Sequence, residues 1–196
     1  MTPVVQPLPP RAPRQGNALT RAFGRTILRL GGWRLDGEFP DLPHMVIIAA
    51  PHSSAWDAVW GIAAMLALGV RITFMGKAEL FRGPLGWFLR RIGGVPVDRS
   101  RAHGAVEQAA AMLKGERPVW FLLAPEGTRR RVKDWKSGFW HIARNAGVPV
   151  LCAHFHYPEK RMGLGPLVSP SNDPDADMAA IRTHYHPFIG KNRGTH

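Results

Sequence analysis

The chain has 196 residues, 26 basic against 14 acidic, for a formal net charge of +12. A hydrophobic content of 45% suits one domain with a full core and excludes a disordered chain. The charge calls for an anionic partner (nucleic acid, an acidic membrane surface or phosphorylated substrates), and the single cysteine, Cys152, excludes an intrachain disulfide and points to a reducing compartment.

Thr2 to Pro13 is rich in proline, and residues 1–16 are expected to form a disordered arm. Asn17 to Trp33 reads as an amphipathic helix. Leu19, Ala22, Phe23, Ile27 and Leu30 recur at helical spacing, and Arg21, Arg25 and Arg29 recur every four residues beside them. Such a helix suits an anionic bilayer surface; the alternative is a helix packed on the domain with a solvated basic face. The chain then alternates. Strands are predicted at Met45–Ala50, Arg71–Met75, Gly94–Val97, Val119–Ala124, Val148–Ala153 and Leu164–Val168. Helices are predicted at Trp56–Leu68, Leu85–Ile92, Ala102–Lys114, Phe139–Asn145 and from about Asp175 to Tyr185. This alternation predicts an α/β domain: a largely parallel sheet flanked by helices, with the amphipathic helix at its N-terminal side. No apolar run is long enough for a membrane span, and no signal-peptide core is evident.

The most informative stretch runs from Ala49 to Asp57. His52 lies between a predicted strand and a predicted helix, where ligands bind in open α/β sheets. Ser54-Ala55-Trp56-Asp57 fits a capping box with Asp in place of Glu. With His52 in the loop and Asp57 in the first helical turn, the carboxylate can reach one imidazole nitrogen and leave the other facing the cleft. That is the base and orienter of a catalytic triad without a protein nucleophile, whose place a substrate hydroxyl can take. The alternative is that Ser54 and Asp57 only cap the helix.

Other polar residues collect at strand ends. His52, Lys77, Arg99 and Glu126 each follow a predicted strand, and in a parallel sheet those ends share one edge. In Pro125-Glu126-Gly127-Thr128-Arg129, Gly127 permits close backbone approach and Arg129 suits bidentate phosphate binding. Taken singly, these residues also fit a solvated turn. Cys152 reads as core rather than nucleophile. His154 and His156 alternate on one strand without a further metal-ligand set, and Asp173, Asp175 and Asp177 fit an acidic helix N-terminus. There is no P-loop, dinucleotide fingerprint or Gly-x-Ser-x-Gly elbow.

In order, these stretches resemble the glycerolipid acyltransferase family, which includes bacterial 1-acylglycerol-3-phosphate acyltransferases. His52 to Asp57 matches its His-x4-Asp block. Gly76 to Phe81 and Gly94 to Arg99 look like the second block and its lead-in. Ala124 to Arg129 is similar to the third block, usually Phe-Pro-Glu-Gly-Thr-Arg, and Gly147 to Val150 to the fourth. The resemblance implies acyl transfer from acyl-CoA or acyl carrier protein, as donor substrate and with no further cofactor, to a lysolipid hydroxyl. It implies His52 as general base and Asp57 as its orienter. Lys77, Arg99, Glu126, Gly127, Thr128 and Arg129 become substrate-binding residues, with no metal. It places an acyltransferase domain over residues 34–196, peripheral on the cytoplasmic face of an anionic membrane. No nucleic-acid partner is implied. Two departures bear on the acceptor: Pro51 stands where many members have Asn, and Arg130 where Ser is common. A thioester hydrolase using the same pair on water, and a non-enzymatic nucleic-acid binder, remain the rival readings.

Overall fold

A computed structural model describes residues 7–97 and 102–194. Seven strands form one sheet: β1 (Arg34–Asp36), β2 (His44–Ala50), β3 (Ile72–Lys77), β4 (Gly94–Val97), β5 (Val119–Leu123), β6 (Val150–His156) and β7 (Arg161–Val168). Their order is β1-β7-β6-β2-β5-β3-β4. Every pairing is parallel except the β6–β7 hairpin. The helices are α1 (Ala18–Gly31), α2 (Trp56–Leu68), α3 (Gly83–Arg91, after a 3-10 turn at Ala78–Phe81), α4 (Ala102–Leu113), α5 (Gly138–Ala146) and α6 (Pro174–Tyr185).

Right-handed crossovers dictate the layers. The steps β2 to β3 and β3 to β4 move one way across the sheet and carry α2 and α3 on one face. The returning steps to β5 and β6 carry α4 and α5 on the other. The central strand β2 shows the consequence in its alternation. Val46, Ile48 and Ala50 join a core with Phe121, Phe139, Cys152 and Tyr185. Met45 and Ile47 pack the opposite way, with Met65, Val70 and Trp120.

Helix α1 lies beside α2, over β6 and β7. Leu28 and Trp33 are buried with Ala63, Ala67, Phe155 and Met162. The approach is close: a Cβ at Gly24 would sit 2.4 Å from the Ala67 backbone nitrogen, so only glycine fits there. Asn17 and Thr20 close the helix start reciprocally through side chain and backbone.

The architecture is the expected α/β one, and most predicted elements stand within two or three residues of their positions. Three readings change. The expected disordered arm over residues 1–16 is instead folded onto the domain from Leu8 onward. Leu8 and Ala12 are buried in the Met65–Val70 cluster, and the backbone bonds Gln15 to Gly69 and Arg71 to Pro13. Residues 1–6 fall outside the described residues. Strand β1, with only three residues, was too short to show a period. The tail strand starts at Arg161 rather than Leu164 and runs antiparallel to β6, closing a hairpin whose turn begins at Tyr157. Cys152 is core, as expected: it is fully buried, and burial pushes its thiol up to about 11.

Candidate active site

Strand β2 ends at Ala50, and a cis Ala50–Pro51 peptide opens the loop that carries His52. Asp57, in the first turn of α2, turns its carboxylate back over this loop. Oδ2 accepts from the backbone N–H groups of Ser53 (2.8 Å) and Ser54 (2.9 Å), and lies 3.1 Å from His52 Nδ1. The capping arrangement is therefore half of what the sequence suggested. Asp57 receives Ser54 N–H, while the Ser54 hydroxyl accepts from Trp56 N–H at 3.2 Å instead of from Asp57 N–H.

The second carboxylate oxygen has a partner that the sequence did not reveal. Tyr157, in the β6–β7 turn, donates its hydroxyl to Asp57 Oδ1 at 2.5 Å. Burial raises the Asp57 carboxyl pKa, but hydrogen bonds from His52, Tyr157, Ser54 and Ser53 outweigh it and hold the group below its ordinary value. Burial and the neighbouring Asp57 push the Tyr157 phenol the other way, well above its usual range, so it stays a neutral donor. Four donors thus converge on an ionised, buried Asp57, whose side chain is 1% exposed. An ionised carboxylate facing Nδ1 requires a proton there, which leaves Nε2 of a neutral ring as the lone-pair nitrogen. The His52 side chain is 30% exposed, so that nitrogen belongs to an accessible ring.

Glu126 follows β5, next to β2 in the sheet. Its side chain has no exposed surface. The carboxylate accepts from His52 N–H at 3.2 and 3.3 Å and from Arg193 Nη2 at 2.7 Å. Burial raises the Glu126 pKa, and the Arg193 bond and charge offset this only in part, so it remains above the ordinary carboxylate value. Arg193 also donates through Nη2 to the His52 carbonyl (3.3 Å) and the Arg130 carbonyl (2.8 Å). Beside it, Asn192 binds the Ser53 backbone and hydroxyl oxygens. The segment 190–194 therefore ties the His52 loop to the loop after β5.

Of the remaining expected residues, the described ones lie at the ends of β3 and β5. Lys77 ends β3 and is exposed on the same sheet edge. Gly127 has φ +65°, a left-handed turn that suits glycine. Thr128 accepts from Arg130 N–H through its hydroxyl, and Arg129 is exposed and makes no hydrogen bond or ion pair among the described residues. Arg99 lies outside the described residues. The two histidines once weighed as metal ligands have other neighbours: His154 stacks on Phe188, and His156 Nδ1 accepts from Ile189 N–H at 3.2 Å. Asp173 caps α6. Tyr157 further lines an open groove of about 270 Å³ with Trp33, Trp56, Trp60, Lys160 and Lys191.

The family model described as Acyltransferase matches residues 38–155. A 1-acyl-sn-glycerol-3-phosphate acyltransferase of Streptococcus pneumoniae is 27% identical over 161 residues, covering 76% of this chain and 59% of that protein. One of the same name from Haemophilus influenzae is 28% identical over 158 residues, covering 74% and 63%. The chain thus spans about three fifths of the length of these curated relatives. In fold it is similar to the crystal structure of the 1-acyl-sn-glycerophosphate acyltransferase PlsC from Thermotoga maritima. There the TM-score is 0.60 at 22% identity, over 82% of this chain and 72% of the other.

Proposed function

Because the chain belongs to the acyltransferase family, we propose that it moves a fatty acyl group from acyl-CoA or acyl carrier protein to the hydroxyl of a lysophospholipid, first of all 1-acylglycerol-3-phosphate. The observation that carries this reading is the buried, four-fold hydrogen-bonded Asp57 holding His52 Nδ1, with Nε2 left as the base on an accessible ring. In this mechanism Nε2 takes the proton of the acceptor hydroxyl as its oxygen attacks the thioester carbonyl carbon. The tetrahedral intermediate collapses with cleavage of the carbon–sulfur bond, and the imidazolium returns the proton to the leaving thiolate. Asp57, itself fixed by Tyr157, holds the ring, and Glu126 holds the loop through the His52 N–H. Lys77, Gly127, Thr128 and Arg129 are the acceptor-side residues, with exposed cations suited to a phosphate.

The substrate class fits an enzyme working at a lipid surface. Among the described residues no helix is long and apolar enough to cross a membrane. Helix α1 keeps Leu19, Phe23 and Leu30 exposed on one stripe, with Arg21, Arg25 and Arg29 on the next. This supports peripheral attachment to the cytoplasmic face of an anionic membrane. The test is transfer from a labelled thioester to a panel of lysolipids and small alcohols, with products read by mass. Acyl release at the same rate without any acceptor would replace this reading by a thioester hydrolase.

A further inference from the structure

The eleven large apolar side chains exposed among the described residues are unevenly placed. Leu19, Phe23 and Leu30 are on α1, Trp56 and Val59 on α2, and Leu80, Leu85, Trp87 and Phe88 on the 3-10 turn and α3. Only Leu167 and Ile189 lie elsewhere. Nine of the eleven thus belong to elements on one face of the sheet, the face to which the right-handed crossovers send α2 and α3. The set on α3 is separate from α1. Leu85, Trp87 and Phe88 are 54%, 69% and 40% exposed, and Leu80 before them is 48% exposed. Pro84 and Arg91 share their outward arc.

We propose that the Leu80–Phe88 segment is a second membrane-contact site, inserting into the interface of an anionic bilayer at the same time as α1. The lipid occupant rests on the acyltransferase reading above and on charge. Arg82, Arg90 and Arg91 flank the α3 residues, and Arg21, Arg25 and Arg29 line α1. Against these six arginines the elements α1, α2, the 3-10 turn and α3 carry two acids: Glu79, which is exposed, and Asp57, which is buried. A second copy of this chain would set +12 against +12 across the same surface, so self-association is disfavoured. Leu80, Leu85, Trp87 and Phe88 stand apart from the groove beside Tyr157, exposed on the 3-10 turn and α3 rather than lining a cleft, which suits a planar partner. Tryptophan with arginine is the composition that settles at the headgroup level.

The two contacts define an orientation. With both α1 and α3 against the lipid, the helical layer faces the bilayer, and the sheet edge bearing His52 and Lys77 stands at its border. A lysolipid can then reach His52 without leaving the surface. The experiment uses the full chain and vesicles of equal parts phosphatidylglycerol and phosphatidylcholine, with pure phosphatidylcholine for comparison. Co-sedimentation of the triple variant Leu85→Ser, Trp87→Ser, Phe88→Ser should show anionic-vesicle binding weakened roughly tenfold or more. Its transfer to a monodisperse short-chain lysophospholipid should match wild type. Should that variant fail to fold, Trp87→Phe keeps the test open: quenching of wild-type fluorescence by brominated lipids should fall in it, because one inserted tryptophan is gone. Unchanged vesicle binding by the folded triple variant, or unchanged quenching in Trp87→Phe, would overturn the proposal and leave this surface to a protein partner such as an acidic carrier. Absence of any acyl transfer by wild type would instead sink the enzymatic reading, while the vesicle result would still report on α3.

Discussion

Replacing Arg193 by Gln tests the tie between the His52 loop and the loop after β5. The guanidinium is 16% exposed and its partner Glu126 has no exposed surface, so solvent screens the pair little. Removing one partner of such a buried pair costs about 3–5 kcal/mol, because the other charge is left behind. Glu126 can escape part of that cost by taking up a proton. Burial already raises its pKa, and loss of the Arg193 bond and charge removes the largest forces that lower it. The sign of the pH effect follows. An acid whose folded pKa lies above its unfolded value, near ~4.3, loses stability as pH rises between the two. Arg193→Gln should therefore be less destabilised at pH 5 than at pH 7. Denaturant unfolding of wild type, Arg193→Gln, Glu126→Gln and the double variant at both pH values reads this out, and the double variant should recover part of the loss. Transfer by folded Arg193→Gln should fall mainly in kcat, since the loop that holds His52 loses an anchor, and Arg193→Lys should restore it only in part. A loss below about 1 kcal/mol at pH 7 with no pH dependence would refute the reasoning, for that is the behaviour of an exposed pair.

His52→Ala should lower transfer by ~10²–10⁴-fold without a matching loss of stability, and Asp57→Asn should also be severe because it favours the wrong imidazole tautomer; near-normal turnover by folded His52→Ala removes it as the base. Tyr157→Phe should leave Asp57 with one donor fewer and reduce kcat with little change in KM, so steady-state kinetics showing the reverse split would move Tyr157 to a substrate contact. Arg129→Ala should raise KM for a phosphate-bearing acceptor and not for the thioester, and acceptor titration at fixed donor decides between a phosphate and a neutral headgroup. His154 is held neutral in the fold, its pKa pushed down to about 4, chiefly by burial. Stability should therefore be lost as pH falls from about 6.5 towards 4, by up to about 3 kcal/mol, and His154→Gln should flatten that slope in melting curves.

What could be read from the sequence was what is encoded locally. His52 and Asp57 are five residues apart across a strand–loop–helix junction, so geometry alone brings them within reach. Glu126, Gly127 and Arg129 likewise share one turn. Tyr157 and Arg193 had no comparable signal. Each reaches the site from far along the chain, Tyr157 across 100 residues and Arg193 across 67. A lone tyrosine beyond a strand and an arginine among Gly, Lys and Asn look like ordinary surface residues until the fold is known. The N-terminal arm misled for the opposite reason. Its prolines suggested disorder, but Leu8 and Ala12 join the buried cluster of Met65 and Val70, and burial there offsets the cost of ordering the chain. Ser54 and Asp57 pointed to a capping box, and the structure keeps both side chains as acceptors but shifts the donor to the Ser54 hydroxyl by one position, from Asp57 to Trp56.

The glycine contact between α1 and α2 has a mechanical consequence. With the Gly24 backbone set against Ala63 and Ala67, and Gly31 against Trp60, α1 has no clearance to swing on its own. It moves with α2 as one stiff plate, and the first turn of α2 carries Asp57. A force applied to α1, such as drag along a viscous surface or a change in its tilt, is passed to the axis that aims the His52 ring. Extending Gly24 to alanine would then wedge α1 and α2 apart, shifting α2 and misaligning a base that the new methyl does not touch.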